Sequence, residues 1–368
     1  MTAVRRWCLV TASVLLLVAT PLAVNAWPAG DTEITARQLL DKVQAADDVA
    51  YSGYVEAVGG LSLPTTDEFG AVADLFGGAS RLRVWWRSDE SWRVDRLAAS
   101  GETDLFHAGD ATTTWDYERL TTTATLDALV FLPRTVELLP PRLARLVLTD
   151  ARPEEVSRLP AARIAGRTAP GLRLTPSAPQ ASITRVDLWA DAESGLPLRV
   201  QVYGDGQGAP PVETSFVQVA LDEPAADVVA FEPPPGSQPR FGGVGSDSLL
   251  GHIPAAFESR ALAGLPRVGG ASPAHLFSRY GRGVTQLLVL ALDYDVSEPL
   301  RDQLASAAGV VVDDLGSALA AGPLHLRLSP HRHYEPSWLL VGTVDDKTLR
   351  RAARTVYGAD AAPAGMAS

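Results

Sequence analysis

Cysteine is almost missing from this chain. Cys8 is the only one in 368 residues and sits at the start of an apolar run, so no disulfide framework and no thiol chemistry is available further along. A lipid-bearing cysteine would follow such a run, which excludes lipid attachment at Cys8. Positive charge is also short. With 32 basic against 43 acidic side chains and a net charge of -11, the chain lacks the Lys/Arg excess that a phosphate backbone requires, so nucleic acid is excluded as a partner. Linear signatures of catalysis are missing too: there is no G-x-S-x-G elbow, no G-x-x-x-x-G-K-[ST] loop and no H-E-x-x-H pair. Gly281-Arg282-Gly283 lacks the third glycine of a dinucleotide loop and precedes a strand instead of a helix, so no cofactor is expected. His331-Arg332-His333 with Glu335 offers two histidines and a carboxylate in a loop. That is too thin for a metal site, and His107, His252, His275 and His325 are scattered singly. The expectation is no metal, no catalytic residue and no enzyme, although acid/base sites built from scattered carboxylates leave no linear trace.

What is present begins with an export signal. Arg5 and Arg6 precede an apolar run from Trp7 to Val24 that ends in Val24-Asn25-Ala26, a small-x-small cleavage pattern. Residues 1–26 read as a signal peptide, placing the mature chain outside the cytoplasm, in the periplasm or cell envelope. An uncleaved membrane anchor is the open alternative, because the run approaches the ~20 apolar residues that cross a bilayer.

The rest divides in two. Hydrophobic residues make up 46%, enough for real cores. Thr35 and Gln38 have capping-box spacing, and Ala36, Leu39, Leu40 and Val43 fall on one helical stripe. Strands follow near 50–58, 80–87, 91–98, 102–107, 112–117 and 119–125, too closely spaced for helical crossovers, so neighbours are antiparallel. Residues 133–148 are helical and interrupted by Pro140 and Pro141, which split or kink the segment. Strands resume near 161–166, 170–175, 183–190, 197–203 and 212–221, and 236–265 has the Pro/Gly/Ser composition of a linker. A smaller α+β unit over 266–358 shows strands at 284–292, 323–328 and 337–344. Its helices are expected at 298–307 and from Asp345 to Tyr357, with Gly358 placed to stop the last one and a loose tail over 359–368.

In 186–204, VDLWADAESGLPLRVQVYG, alternation puts Val186, Leu188 and Ala190 on one face, and Leu198, Val200 and Val202 on one face after the turn. Five tryptophans, Trp85, Trp86, Trp92, Trp115 and Trp189, lie on strands, with Leu82, Val84 and Trp86 facing one way and Arg81, Arg83, Trp85 and Arg87 the other. Periodicity leaves two readings open here, a filled sheet core and a sheet around an apolar cavity.

The segment order, DLFHAGDATTTWDYE at 104–118, the hairpin DLWADAESGLPLRVQVYG and the closing FEPPPG resemble the LolA-like superfamily over about 32–236. Asp191, Gly195, Leu196, Pro197 and Leu198 match its L-W-x-D-x-x-x-G-L-P-L hairpin, and Gly109, Trp115 and Tyr117 match its D-G-x-x-x-W-x-Y pair more loosely. LAGLPR, YGRGVTQLLVL and LLVGTVDDKTLRRAA in the second part resemble actinobacterial two-domain proteins of the RseB/MucB regulator type. The resemblance implies an α+β fold: a strongly curved antiparallel sheet, an open half-barrel over 27–235 lidded by helices, with a smaller C-terminal α+β domain. It also implies a lipid or lipoprotein acyl chain as ligand and, in the regulator branch, an anti-sigma factor's extracytoplasmic segment as partner. The side chains available to line such a cavity are Leu82, Val84 and Trp86; Trp92 and Val94; Leu138, Leu139, Leu143 and Leu146; Val186 and Leu188; and Leu198, Val200 and Val202. A lipid carrier without a regulatory partner is the second reading, and a cell-envelope hydrolase the third.

Overall fold

Thr35 opens the first described helix. Its hydroxyl accepts from the Gln38 amide at 3.2 Å while the Gln38 side chain accepts from the Thr35 amide at 2.9 Å, so the expected capping box starts α1, Ala36–Gln44. This computed structural model describes residues 30, 32–61, 63, 73, 76–98, 101–126, 134–206, 208–241, 257–268, 277–332 and 335–359. The expected signal peptide, the middle of the expected linker and nearly all of the expected tail lie outside the described residues. Among those described, no helix is long and apolar enough to cross a membrane.

Two antiparallel meanders build one curved sheet. The first runs β1 (Tyr51–Gly59), β2 (Ala79–Ser88), β3 (Ser91–Ala98), β4 (Gly101–Ala108), β5 (Ala111–Asp116) and β6 (Thr121–Leu126). The second meander, which follows α2 (Pro140–Leu148), runs β7 (Val156–Ile164), β8 (Arg167–Leu174), β9 (Ile183–Ala190), β10 (Pro197–Gly204) and β11 (Val212–Ala220). β11 then pairs with β1 and joins the two halves. The segment is split at the prolines as expected, into a 3-10 turn at Thr135–Leu138 and α2, with Leu139 extended between them. Pro140 and Pro141 occupy the first positions of α2, where a missing N–H costs nothing.

One departure from the expected antiparallel pattern is β12, Gln238–Phe241, inside the segment read as linker. It lies parallel to β6 at the sheet's far edge. Reaching that edge from β11 takes the chain across the outer side of the first meander. Arg87 of β2 holds this strap through Glu223 and the Pro224 carbonyl, α3 (Ala226–Val229) touches β2 and β3, and Phe231 packs on Phe106 of β4 at 5.1 Å.

The C-terminal unit starts with the hairpin β13 (Ala261–Leu262) and β14 (Leu265–Pro266), followed by β15 (Phe277–Arg282) and β16 (Thr285–Leu292). After α4 (Tyr294–Ser306) come β17 (Val311–Asp313), β18 (Gly316–Ala321), β19 (Leu324–Leu328), β20 (Ser337–Gly342) and α5 (Asp346–Ala359). The six-strand order is β15-β16-β20-β19-β18-β17. β16 is apolar on both faces because helices cover both: Leu287, Val289 and Ala291 meet α5, while Leu290 and Leu292 meet α4. α4 begins a turn earlier than expected, since Asp293 caps it by accepting from Val296 and Pro299 is tolerated inside. α5 runs through Gly358 instead of stopping before it.

Arg282, the last residue of β15, joins the two sheets. It grips Glu155 with both guanidinium nitrogens, one at 3.1 Å, and also donates to the Asp150 carbonyl just past α2. Ala181 bridges to Val344, Ser182 donates to the Thr343 carbonyl at 3.2 Å, and Val284 and Ala321 enter the core beneath α1 and α2. Burial disfavours the Glu155 charge, yet hydrogen bonds from Arg282, Ser177 and the Arg152 amide outweigh it and lower its carboxyl to about 2. The side chain of Glu155 is 4% exposed, so Arg282→Ala strands a buried charge. The expected cost is roughly 2 kcal/mol, below the figure for fully buried pairs because Arg282 is partly exposed. A carboxyl lowered on folding stabilises above its unfolded value and loses that contribution as pH falls. Thermal unfolding should therefore show the full gap between wild type and Arg282→Ala at pH 6, closing between about 4.5 and 2. A gap constant across that range would show that the pair does not hold the joint.

Candidate functional site

The inner face of the curved sheet is mostly apolar, with buried Thr214 and His107 among its polar groups. Leu82, Val84, Trp86, Trp92, Val94, Leu138, Leu139 and Leu198 share one buried cluster with Tyr51 and Phe216. Leu143, Val186, Leu188, Val200 and Val202 share the adjoining one with Leu39, Leu40 and Val43 of α1 and Val147 and Leu148 of α2. The greasy face of 186–204 thus touches α1 and α2. Leu146 stands apart at 51% exposure, because α2 turns Leu143, Ala144, Val147 and Leu148 inward and leaves 146 on the solvent side.

Across the first meander the inner side chains form a ladder of rings. Tyr51, Trp86, Trp92 and His107, from β1 to β4, stack at 5.9, 5.6 and 4.9 Å with planes within 12° of parallel. They do so because each is cross-strand partner to the next: Tyr51 to Trp86, Trp86 to Trp92, Trp92 to His107. Arg142 of α2 caps the ladder, its guanidinium 5.5 Å from the Trp86 ring. The rim of α2 is tied by charge. Asp89, in the β2–β3 turn, accepts from Arg142 at 3.1 Å and Arg145 at 2.6 Å, and Arg145 lies 3.5 Å from Asp47. Between α1 and α2 lies a cleft of about 130 Å³, walled by Val43, Asp47, Pro141, Ala144, Arg145 and Leu148.

The hairpin motif positions α1 on this face. Asp191 accepts from the Ser194 amide at 2.8 Å and the Glu193 amide at 3.1 Å on one oxygen, and from Arg167 at 2.5 Å on the other, closing the β9–β10 turn. Gly195 has φ +79°, and a Cβ there would lie 2.7 Å from the Lys42 carbonyl, so only glycine lets the turn approach the end of α1. Lys42 answers by donating to the Ala192 carbonyl at 2.5 Å. The motif therefore acts through backbone fit.

Sequence patterns gave no warning of a second cluster on the opposite face. Asp95 of β3 and Asp104 of β4 are cross-strand partners, both fully buried, with Glu102 within ligand distance of the pair. Arg93 donates to Asp95 at 2.6 Å and to Asp104 at 2.8 Å, the Tyr117 hydroxyl donates to Asp104 at 3.3 Å, and Arg83 lies 3.2 Å from Asp95. Arg93 is itself sandwiched between Trp85 at 5.1 Å and Phe106 at 4.7 Å. Burial first, then the negative charges of Asp95 and Glu102, push the Asp104 carboxyl up to about 7 against the pull of Arg93. Burial likewise raises Asp95 against Arg93 and Arg83. Three carboxylates facing two guanidiniums make a proton-holding network sealed beneath aromatic rings, with no exposed carboxylate oxygen on either aspartate for a substrate to meet. Of the histidine pair weighed as a metal site, His331 lies 3.3 Å from Glu298 and against Tyr294, and His333 lies outside the described residues.

No family model matches the chain, and no curated protein matches it in sequence. Solved structures do match. The crystal structure of MucB in complex with MucA(peri) is 16% identical over 86% of this chain and 97% of that one, at a TM-score of 0.47. The Pseudomonas aeruginosa MucA/MucB complex is 15% identical over 86% and 96%, also at 0.47. A LolA superfamily protein, NE2245 from Nitrosomonas europaea, is 11% identical over 54% and 98%, at 0.23. No activity follows from similarities at this level.

Asp104 yields a measurable consequence. A carboxyl raised on folding stabilises most at low pH and loses that contribution as pH climbs toward its folded value. Asp104→Asn removes the group, so the variant's melting temperature relative to wild type should rise between about pH 4 and 7, where the unfolded carboxyl has lost its proton and the folded one keeps it, and level off above. A difference that stays flat over that range would mean Asp104 is ionised throughout, held by Arg93.

Proposed function

We propose that this chain is an exported, non-enzymatic binding protein of the two-domain regulator type. Its half-barrel takes up a lipid or lipoprotein acyl chain beneath α2, and its two domains together receive an extracytoplasmic segment of an envelope protein such as an anti-sigma factor. The observation that carries this reading is the division of labour on the inner face. The sheet supplies a broad, mostly apolar surface, and a separate short helix covers it, held at its outer rim by partly exposed ion pairs.

Magnitudes support an exchange of helix for ligand. Leu139, Leu143, Val147 and Leu148 each stabilise the fold by roughly 1.5–3 kcal/mol through burial, and a buried methylene contributes about 0.8 kcal/mol. An acyl chain of about a dozen methylenes matches the helix it replaces. The second domain favours a regulator over a simple carrier. A carrier needs only the apolar face, whereas here Arg282 grips the chain just beyond α2, so movement of the covering helix is felt across the joint.

Native mass spectrometry of the chain purified after export, followed by organic extraction, tests the reading. Stoichiometric acyl-chain mass, or its uptake on adding acylated ligands, is the expected result. A bare mass unchanged by those ligands would leave a filled sheet acting as a protein scaffold and overturn the lipid-binding role.

A further inference from the structure

We propose that Arg142 and Arg145, with the Tyr51 hydroxyl, form an anion site that takes the negatively charged headgroup of an acyl amphiphile in place of Asp89. This rests on the acyl-binding reading above and deepens it by naming the ligand as an anionic amphiphile and Asp89 as the group it displaces.

Three observations converge on the rim of α2. The two guanidiniums share the carboxylate of Asp89, one on each oxygen, and although Arg145 also has Asp47 at 3.5 Å, donors remain to spare on both. Asp89 is 47% exposed in a turn, so an incoming oxyanion displaces it without first unpacking the core. Beneath them Tyr51 is 1% exposed and its hydroxyl has no hydrogen-bond partner among the described residues, a buried group with room for a ligand's oxygen. Burial raises its phenol, Arg142 draws it down and Asp89 raises it again, which identifies those two charges as its neighbours.

The surrounding space has the shape of an amphiphile. Tyr51, Trp86, Asp89, Arg142 and Arg145 line a cavity of about 20 Å³, too small for a phosphate or carboxylate while the Asp89 side chain remains, so headgroup and Asp89 compete for one place. Beside it, the cleft of about 130 Å³ shares Asp47, Pro141 and Arg145 as walls and leads inward to Val43, Ala144 and Leu148. A charged entrance opening onto an apolar interior fits a molecule with an anionic head and a hydrocarbon tail. Two arginines at the mouth exclude a cationic head.

The test uses the full exported chain, stripped of co-purified lipid, with binding read by calorimetry and by fluorescence of the Trp86–Trp92 stack. The probes are hexadecyl phosphate, palmitate, a neutral monoacylglycerol and inorganic phosphate. In wild type both anionic amphiphiles should bind about tenfold tighter than the neutral one. Asp89→Asn should raise that ratio about tenfold again, and the double variant Arg142→Gln/Arg145→Gln should bring it near one. A ratio near one in wild type, or a ratio that neither variant moves, overturns the headgroup site while leaving acyl binding intact. Inorganic phosphate binding as tightly as hexadecyl phosphate overturns the amphiphile and assigns the pocket to a free oxyanion. Binding of no amphiphile at all overturns this inference together with the acyl-binding reading.

Discussion

β1 and β11 belong to meanders built far apart in the chain, and their pairing turns two small sheets into one surface. Its register, from Ser52 opposite Ala220 to Gly59 opposite Val212, slips at Tyr54/Val55, where β11 carries an extra residue, and such a bulge sharpens local twist and bend. Without this seam, the Tyr51–Trp86–Trp92 ladder and the Val186–Val202 face would each be a narrow apolar strip. With it they form one inner face too wide to stand in water, and α1 and α2 follow as the cover that face requires.

The outer face solves the same problem differently. There the strands carry Arg83, Arg93, Asp95, Glu102 and Asp104, and the chain lays a strap from Glu223 to Phe231 over part of them. Burying those charges is tolerable because each is hydrogen-bonded or stacked, yet three carboxylates against two guanidiniums leave one proton too few. Burial first, and that imbalance second, raise the Asp104 carboxyl. The inner face gains its stability from apolar contact and the outer from a network, so disturbing one leaves the other's bonds in place.

Alternation made the strands legible from sequence, down to β3 at 91–98, because a period of two survives any tertiary context. Leu146 was misplaced because leucine spacing alone was followed across the break at Pro140, whereas the helix behind it buries Leu143, Ala144, Val147 and Leu148 and turns 146 to solvent. β17 and β18 escaped notice because VVD is short and GSALAA holds weak strand formers, and only pairing with β19 makes them strands. Arg282, Asp89 and the Asp95–Asp104 pair could not be read at all. Each acts through a partner on another strand or another domain, and single-sequence periodicity carries no information about such partners.

The two ends of α2 are held unequally, and the difference is one of burial. At the N-terminal rim, Asp89 and Arg145 are nearly half exposed and Arg142 a quarter, and pairs of that kind contribute about 0–1 kcal/mol each. Past the C-terminal end, the Arg282 guanidinium holds the Asp150 carbonyl and the buried Glu155, whose loss of a partner costs several-fold more. Apolar contact along Leu143, Ala144, Val147 and Leu148 is shared by both ends and favours neither. Any load on the helix is therefore relieved first at the rim beside Tyr51 and Trp86, while the joint with the second domain stays closed. A helix released at its rim would stay tethered at residues 149–150, where Arg282 holds the Asp150 carbonyl.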